Sequence, residues 1–436
     1  MSDQLLIRGA APLGGPAQDI LLGGGLITEV GTGLSAAGAR VIDAAGLVAL
    51  PGLVDLHTHL REPGREDAET VESGSRAAAA GGFVAVHAMA NTDPVADTAG
   101  VVEQVWRLGR QAGWVNVCPV GAVSVGLQGE RLAELAAMAA SRASVRVFSD
   151  DGKCVADSVL MRRALEYSKS IDGVIAQHAQ EPRLTEGAQM HEGEVSGVLG
   201  LTGWPAVAEE SIIARDVLLA GHVGARLHVC HVSTAGSVDI IRWAKSRGVA
   251  VTAEATPHHL ALTHEEVRGY DPVFKVNPPL RTPQDTMALR AGLADGTIDV
   301  VGTDHAPHPV EVKDCEWSEA AVGMTGLETA LSVVQETMVD SGLMGWDRVA
   351  QVLSAAPARI GRLSDHPGTI EAGAPAHLTL VDPAARRLVQ EHGQHSMSAN
   401  NPFRGRHLPG RVVATIWAGH PTVLDGTLTE PRELVT

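Results

Sequence analysis

The 436-residue sequence predicts an α/β fold: a (β/α)8 TIM barrel with a small β-sandwich domain formed by both termini. Three observations lead there. Eight short β-rich runs alternate with Ala-rich helical stretches between residue 50 and about residue 360. Both ends carry short strands separated by Gly-rich turns instead. Ligand-type side chains gather at the ends of the predicted strands, where a barrel places its active site. A doubly wound open sheet is the competing arrangement.

Residues 1–50 form the N-terminal part of the small domain, with strands expected at Ile20–Leu22, Leu26–Val30 and Arg40–Asp43. The barrel spans 51–360. Its strands are expected at Leu53–His59, Gly82–Ala88, Trp114–Ala122, Ser144–Ser149, Gly173–His178, Ala225–His231, Val249–Ala253 and Ile298–Val301. Helices are expected at Asp67–Ala80, Thr98–Gln111, Arg131–Ala140, Val155–Ser168, Ala206–Gly221, Gly236–Arg247 and Thr282–Ala294. Residues 361–436 complete the small domain with strands at Ala376–Asp382, Gly410–Trp417 and His420–Leu424. Neither end is long enough to stand comfortably alone.

Composition narrows the function. Lys and Arg number 34 against 51 Asp and Glu, a formal charge of −17. Such an acidic chain lacks the basic face of a general nucleic-acid binder. The start, MSDQLLIRGAAPLGG, has no basic region followed by an apolar run, and the apolar stretch 77–90 is too short to span a bilayer. Cys118, Cys154, Cys230 and Cys315 form no CxxC pair, so neither a disulfide framework nor a thiolate metal site is suggested. A cytoplasmic enzyme acting on a small molecule is expected, with no nucleic-acid or membrane partner.

The 19 histidines outnumber the 13 aromatic residues, and imidazole is the commonest metal ligand. His57 and His59 are two apart, so an extended strand puts them on one face. The fourth strand ends at Asp150-Asp151, the fifth at His178, the sixth at His231 and the eighth at Thr303-Asp304-His305. Any one buried His is usually a hydrogen-bonded core residue; the set converging on one mouth suits two ions. Nitrogen and oxygen donors without thiolate suit Zn2+, with Mn2+ or Co2+ able to substitute. His57, His59 and Asp304 are expected on one ion and His178 and His231 on the other, with Asp151 available to bridge. His87 is read as structural, and His258-His259 as structural or supporting.

The motif Pro51-Gly52-Leu53-Val54-Asp55-Leu56-His57-Thr58-His59 resembles that of the amidohydrolase superfamily. Its continuation, Leu60-Arg61-Glu62-Pro63-Gly64, resembles the dihydroorotases, with allantoinases and hydantoinases close behind. Gly302-Thr303-Asp304-His305-Ala306-Pro307-His308, followed by Lys313, is similar to the dihydroorotase signature and more specific. Asn91, Asn277, the 368–373 turn and Asn401-Pro402-Phe403 fall in matching places. Ala376-His377-Leu378 departs from the pattern, where relatives usually carry Asp. No lysine stands at the fourth-strand bridging position, which resembles the bacterial type I dihydroorotases. That resemblance gives the bridge to Asp151, with Asp150 as runner-up.

It implies reversible cyclisation of N-carbamoyl-L-aspartate to L-dihydroorotate and water, in pyrimidine (UMP) biosynthesis. Two Zn2+ per chain would share a bridging hydroxide, with Asp304 as proton carrier. Arg61, Asn91 and His308 would clamp the substrate carboxylate. His59, Asn277, Val322 and Gly323 are further substrate-contact candidates. The segment 309–322 reads as a solvated loop or as a lid over the mouth. A homodimer, and association with aspartate carbamoyltransferase, are the expected assemblies. The alternatives are a related cyclic amidase (hydantoinase or allantoinase) and a non-catalytic dihydroorotase-like partner of aspartate carbamoyltransferase.

Overall fold

The computed structural model describes residues 4–35, 37–390 and 394–434. Eight parallel strands pair in a ring. Leu53–Thr58 pairs with Phe83–Ala88, which pairs with Asn116–Pro119. Val147–Phe148, Val174–Gln177, Leu227–Val229, Val251–Ala255 and Val300–Val301 follow as a second arc. Single bridges join the arcs, Gly121 with Phe148 and Thr58 with His305. Apolar runs such as FVAVHA are buried along their whole length because both faces of the sheet are covered. Val174 and Ala176 point into one core cluster and Ile175 into another, the two-residue alternation of a strand.

Helices lie between these strands. Pro283–Asp295 shows how the sequence sets their ends. Thr282 caps Asp285 N–H, Asp285 reaches back to Thr282 N–H, and Pro283 occupies the first helical position. Such a cap contributes about 1 kcal/mol. The first predicted helix starts later than expected, at Val71, because Thr70 takes the cap.

The termini build a second β layer together. Leu5–Pro12 pairs with Gln18–Gly23 as far as Ala10, with Arg40–Asp43 through Leu5–Arg8, and with Val48–Pro51 through Ala11-Pro12. Val48–Pro51 then pairs antiparallel with Leu378–Leu388, followed by His407–Trp417 and His420–Leu424. Ile7, Ile20, Ile27, Leu378 and Ile416 bury one shared cluster between the two groups of strands. Such a cluster needs strands from both chain ends.

Five strands among the described residues were not expected, three of them only two residues long: Met190–His191, Gly203–Trp204 and Thr427–Leu428. Leu5–Pro12 lacks alternation and shifts register between Ile7 and Ala10, and Val48–Pro51 is a short buried run merging into the next strand. Ring strands are also shorter than predicted, except the seventh, which is shifted to Val251–Ala255; the last is only Val300–Val301. Their ends leave the ladder to aim side chains at the mouth. The segment 394–403 departs from the β layer and lies against the ring of strands and helices, where Phe403 packs with Leu262, Val276 and Met324.

Candidate active site

The six predicted ligands come together at one end of the ring, all buried. His57 Nε2 and His59 Nε2 each lie 3.3 Å from Asp151 Oδ2, and 3.4 and 3.1 Å from Asp304 Oδ1. The other Asp151 oxygen, Oδ1, lies 3.2 Å from His178 Nδ1 and 3.1 Å from His231 Nε2. Asp151 therefore serves both donor sets, one oxygen each. Four ligands about 2.0–2.1 Å from one ion in a tetrahedron stand about 3.3 Å apart, which is the spacing found here. His57 Nε2 is buried and near two carboxylates, yet aligned with neither for a hydrogen bond. A donor left so is suited to a cation.

Electrostatics agree with that reading. Burial alone would raise the Asp151 and Asp304 carboxyls, but the surrounding imidazoles outweigh it. Asp151 is held well below the usual range and Asp304 down to about 2. Conversely, burial would lower His57, yet Asp151, Glu254 and Asp304 raise it well above its ordinary value. Arg61, His231 and Asp304 all adopt positive φ (62°, 30° and 47°) without being glycine. Such backbone costs about 1–3 kcal/mol per residue and persists where the surroundings enforce it.

The supporting partners explain the motifs. Glu254 accepts from His57 Nδ1 at 2.5 Å, His228 Nε2 at 3.1 Å and His231 N–H at 3.1 Å. It thereby orients two of the ligands. Gly302 makes room for it: a Cβ there would stand 2.6 Å from Glu254 Oε2. Asp55 accepts from His57 N–H and Thr303 N–H, both at 3.0 Å, and ties the first ring strand to the last. Cys230 joins His57 and Glu254 in a third donor group, on the imidazole nitrogen that Glu254 already engages.

Asp150 turns away. It accepts from Val123 N–H at 2.8 Å and Ser124 N–H at 2.9 Å, so Asp151 alone of the pair faces the cluster. His87 bonds Asp55 O at 3.0 Å, away from the ligands. His259 is held by Thr256 and Pro278, while His258 is buried with Nε2 unpartnered.

The predicted substrate contacts are placed as follows. Arg61 Nε donates to Pro307 O at 3.1 Å, and its Nη2 lies 3.4 Å from His308 Nε2. Burial and the neighbouring Arg61 push the His308 pKa down to about 3. The neutral ring donates its Nε2–H to Val322 O at 2.8 Å, so the Arg61 approach is a contact, not a second hydrogen bond. Asn91 Oδ1 accepts from His59 Nδ1 at 2.9 Å and so orients a ligand first. Asn277 Nδ2 donates to Gln180 Oε1 at 3.1 Å, the same oxygen that holds His178 Nε2 at 2.8 Å, and Asn277 Oδ1 is left unpartnered.

The Val322-Gly323 backbone is already engaged, because Val322 O accepts from His308 and Gly323 N–H donates to Lys275 O at 2.9 Å. What remains to a ligand there is the Val322 N–H. Lys313, the last residue of the second motif, does not reach the ligands. Its Nζ donates to Pro272 O, Lys275 O and Ala321 O at 2.8–3.0 Å and fastens the 309–322 segment to its neighbour.

Sequence reasoning missed Glu254 and Gln180, which hold ligand imidazoles, and Glu69 and Asn400, which bond His305 and the His308 backbone beside the mouth. Glu254 carried a signal, an acid one residue past the predicted end of the seventh strand. The others carried none that spacing could show.

Comparison with known proteins follows the same lines. A family described as dihydro-orotase-like matches residues 46–237. The chain is 69% identical to a dihydroorotase of Leifsonia xyli over 99% of its own length and 98% of that protein's. The chain belongs to the dihydroorotase family. A dihydroorotase of Streptomyces coelicolor is 68% identical over 97% of this chain and 99% of that one, and one of Mycobacterium tuberculosis 54% over the same shares. Among solved structures, an L-hydantoinase (dihydropyrimidinase) from Arthrobacter aurescens superposes with a TM-score of 0.87 at 25% identity, covering 99% and 98% of the two chains. A dihydropyrimidinase from Brevibacillus agri gives 0.86 at 22%, covering 99% and 97%, a likeness of fold. Among the described residues, no helix is long and apolar enough to cross a membrane.

Proposed function

We propose that this member of the dihydroorotase family interconverts N-carbamoyl-L-aspartate and L-dihydroorotate, as a cyclic amide hydrolase serving pyrimidine biosynthesis. The observation that carries the reading is the pair of donor sets joined through Asp151, beside a buried arginine. The absence of lysine at that bridge supports the bacterial type I arrangement. The ring of pairings supports a (β/α)8 barrel over 51–360. The cluster shared by the terminal strands supports a small β-sandwich from 1–50 and 361–436. Two Zn2+ would be held by His57, His59 and Asp304 on one side and His178 and His231 on the other, with Asp151 between them. When bound, such ions supply acidified water and a Lewis acid for the carbonyl oxygen.

The chain's own groups do the rest. Arg61 grips the substrate carboxylate through guanidinium donors, against the mean field of an acidic protein. His308 stays neutral and borders that grip. Asn277 Oδ1, unpartnered, is suited to a ring N–H. As water adds to the ring amide carbonyl, Asp304 accepts its proton and delivers it to the departing ring nitrogen. Asp304 Oδ1 faces the two imidazoles, leaving Oδ2 for that transfer.

A carboxylated ring is favoured over a hydantoin or allantoin by Arg61 and His308. A non-catalytic role is disfavoured because all six ligands are in place. The same reading includes a cytoplasmic location, a homodimer and association with aspartate carbamoyltransferase; sedimentation of the protein alone and with that enzyme tests the assemblies. Ring opening of dihydroorotate, followed by ultraviolet absorbance with and without chelator, tests the activity. Turnover on dihydroorotate that chelation abolishes supports the reading; turnover confined to uncharged rings overturns it.

A further inference from the structure

One segment from the far end of the chain runs beside the mouth. From 396 to 400 the sequence is Ser-Met-Ser-Ala-Asn, and every second residue is buried: Ser396, Ser398 and Asn400. These alternating side chains are polar, and each is spent on the barrel. Ser396 Oγ donates to Glu69 Oε2 at 2.5 Å, and the same carboxylate oxygen accepts from His305 Nε2 at 3.3 Å. Ser398 Oγ donates to Ala68 O at 2.8 Å.

Asn400 reaches furthest. Its Oδ1 accepts from His308 N–H at 3.3 Å, and its Nδ2 donates to Ala306 O at 2.9 Å and Gly323 O at 3.2 Å. Its backbone carbonyl accepts from Thr325 N–H at 3.1 Å. One side chain thus joins the peptide on both sides of Pro307, whose carbonyl holds Arg61, to the peptide of Gly323. Gly323 is there at φ +142°, where a Cβ would stand 2.8 Å from His308 Nε2. Only an amide supplies an acceptor and two donors from one short side chain. A carboxylate would face two carbonyl oxygens.

We propose that Asn400 is a positioning residue for substrate recognition. It fixes the spacing between the 306–308 turn and the 323 peptide, and so the pose of His308 and Arg61 that receives the substrate carboxylate. This rests on the reading of Arg61 and His308 as the carboxylate clamp. Asn400 touches none of the six ligands in the structure, so it acts on binding and leaves the proton transfer alone.

The test is a double-mutant cycle with dihydroorotate as substrate. Asn400→Ala should raise KM about tenfold, the loss of a hydrogen-bonded support, with kcat within about threefold. Zinc content should match the parent. In an Arg61→Met background the Asn400→Ala penalty in KM should shrink below about twofold, because the clamp it serves is gone. Ser398→Ala, buried on the same segment but not bonded to the clamp, should lower Tm and leave KM unchanged.

If Asn400→Ala proves too unstable to assay, Asn400→Ser, which keeps one hydroxyl for hydrogen bonding, should show the same KM-selective loss. An equal penalty in both backgrounds, or a kcat loss that tracks zinc loss, makes Asn400 merely structural and overturns the inference. A normal KM for Asn400→Ala beside a raised KM for Arg61→Met overturns it alone. A normal KM for Arg61→Met defeats the clamp reading itself, and this inference with it.

Discussion

The mouth has two halves built in different ways. The donor half draws His57, His59, Asp151, His178, His231 and Asp304 from the ends of ring strands. Buried partners on the ring strands themselves, Glu254 and Asp55, hold them. The recognition half draws Arg61, His308 and Gly323 from loops, held by carbonyl contacts and by a segment from the other end of the chain. Strand-borne groups are fixed by the ladder itself; loop-borne groups need a brace. On the proposed reading, chemistry common to many cyclic amides sits on the rigid half, and the choice among them on the braced half.

Four substitutions sharpen or break that contrast, taken from the largest effect down. Asp304→Asn should lower kcat about a thousandfold while much of the zinc stays bound; near-normal turnover would remove Asp304 from the proton role. Arg61→Met should raise KM for dihydroorotate about 10–100-fold, the scale of a charge-assisted pair. The affinity of the same ring without its carboxylate, read by competition, should barely move, and equal losses on both would erase the division of labour. Glu254→Gln should weaken zinc binding about 10–100-fold through misoriented His57, measured against a chelator, with KM little changed in zinc excess. Unaltered zinc affinity would show that the strand-level support is dispensable.

The smallest effect concerns the start of the brace. Glu328 accepts from the N–H groups of His395 and Ser396, at 2.8 and 3.3 Å, with Arg387 and Glu69 as its charged neighbours. Burial pushes its carboxyl up from 4.5 to about 7. The folded protein therefore keeps a proton there that the unfolded chain has released. Its contribution to stability is full below about 4.5 and falls as pH rises toward 7. Glu328→Gln, which needs no proton, should be more stable than the parent at pH 8 by about 1–3 kcal/mol and about equal at pH 4.5. Denaturant midpoints at the two pH values check it; a gain at pH 4.5 alone would reverse the sign.

Much of the donor half was legible in the sequence. His57-x-His59 on one strand, single His or Asp residues at later strand ends, and the motif around Asp304 all obey local periodicity. The choice between Asp150 and Asp151 needed the resemblance, because one residue of register decides which carboxylate turns inward. The structure shows the reason: Val123 and Ser124 N–H groups capture Asp150. The recognition half was legible as identities, not as geometry. Val322 and Gly323 were expected to offer their backbone to the substrate, yet that backbone is largely occupied. Asn400 was invisible because its side-chain partners lie 77 to 94 residues away, and no spacing rule reaches so far. Leu5–Pro12 and Val48–Pro51 were missed for a related reason, since their partners and not their own pattern make them strands.

The joining of the two termini has a consequence for how the protein is made. Val48–Pro51 leaves the ribosome early, but its antiparallel partner, Leu378–Val381, is synthesised about 330 residues later. At ordinary elongation rates of about 5–20 residues per second, that strand edge waits roughly 20–60 seconds. Throughout the interval its apolar residues and unpaired peptide groups are open to other chains. Consecutive ring strands emerge in order and can pair as they arrive; the junction between the two halves of the β layer cannot form until the chain is nearly complete. Nascent chains stalled between about residue 60 and residue 370 should therefore be the form that chaperones meet.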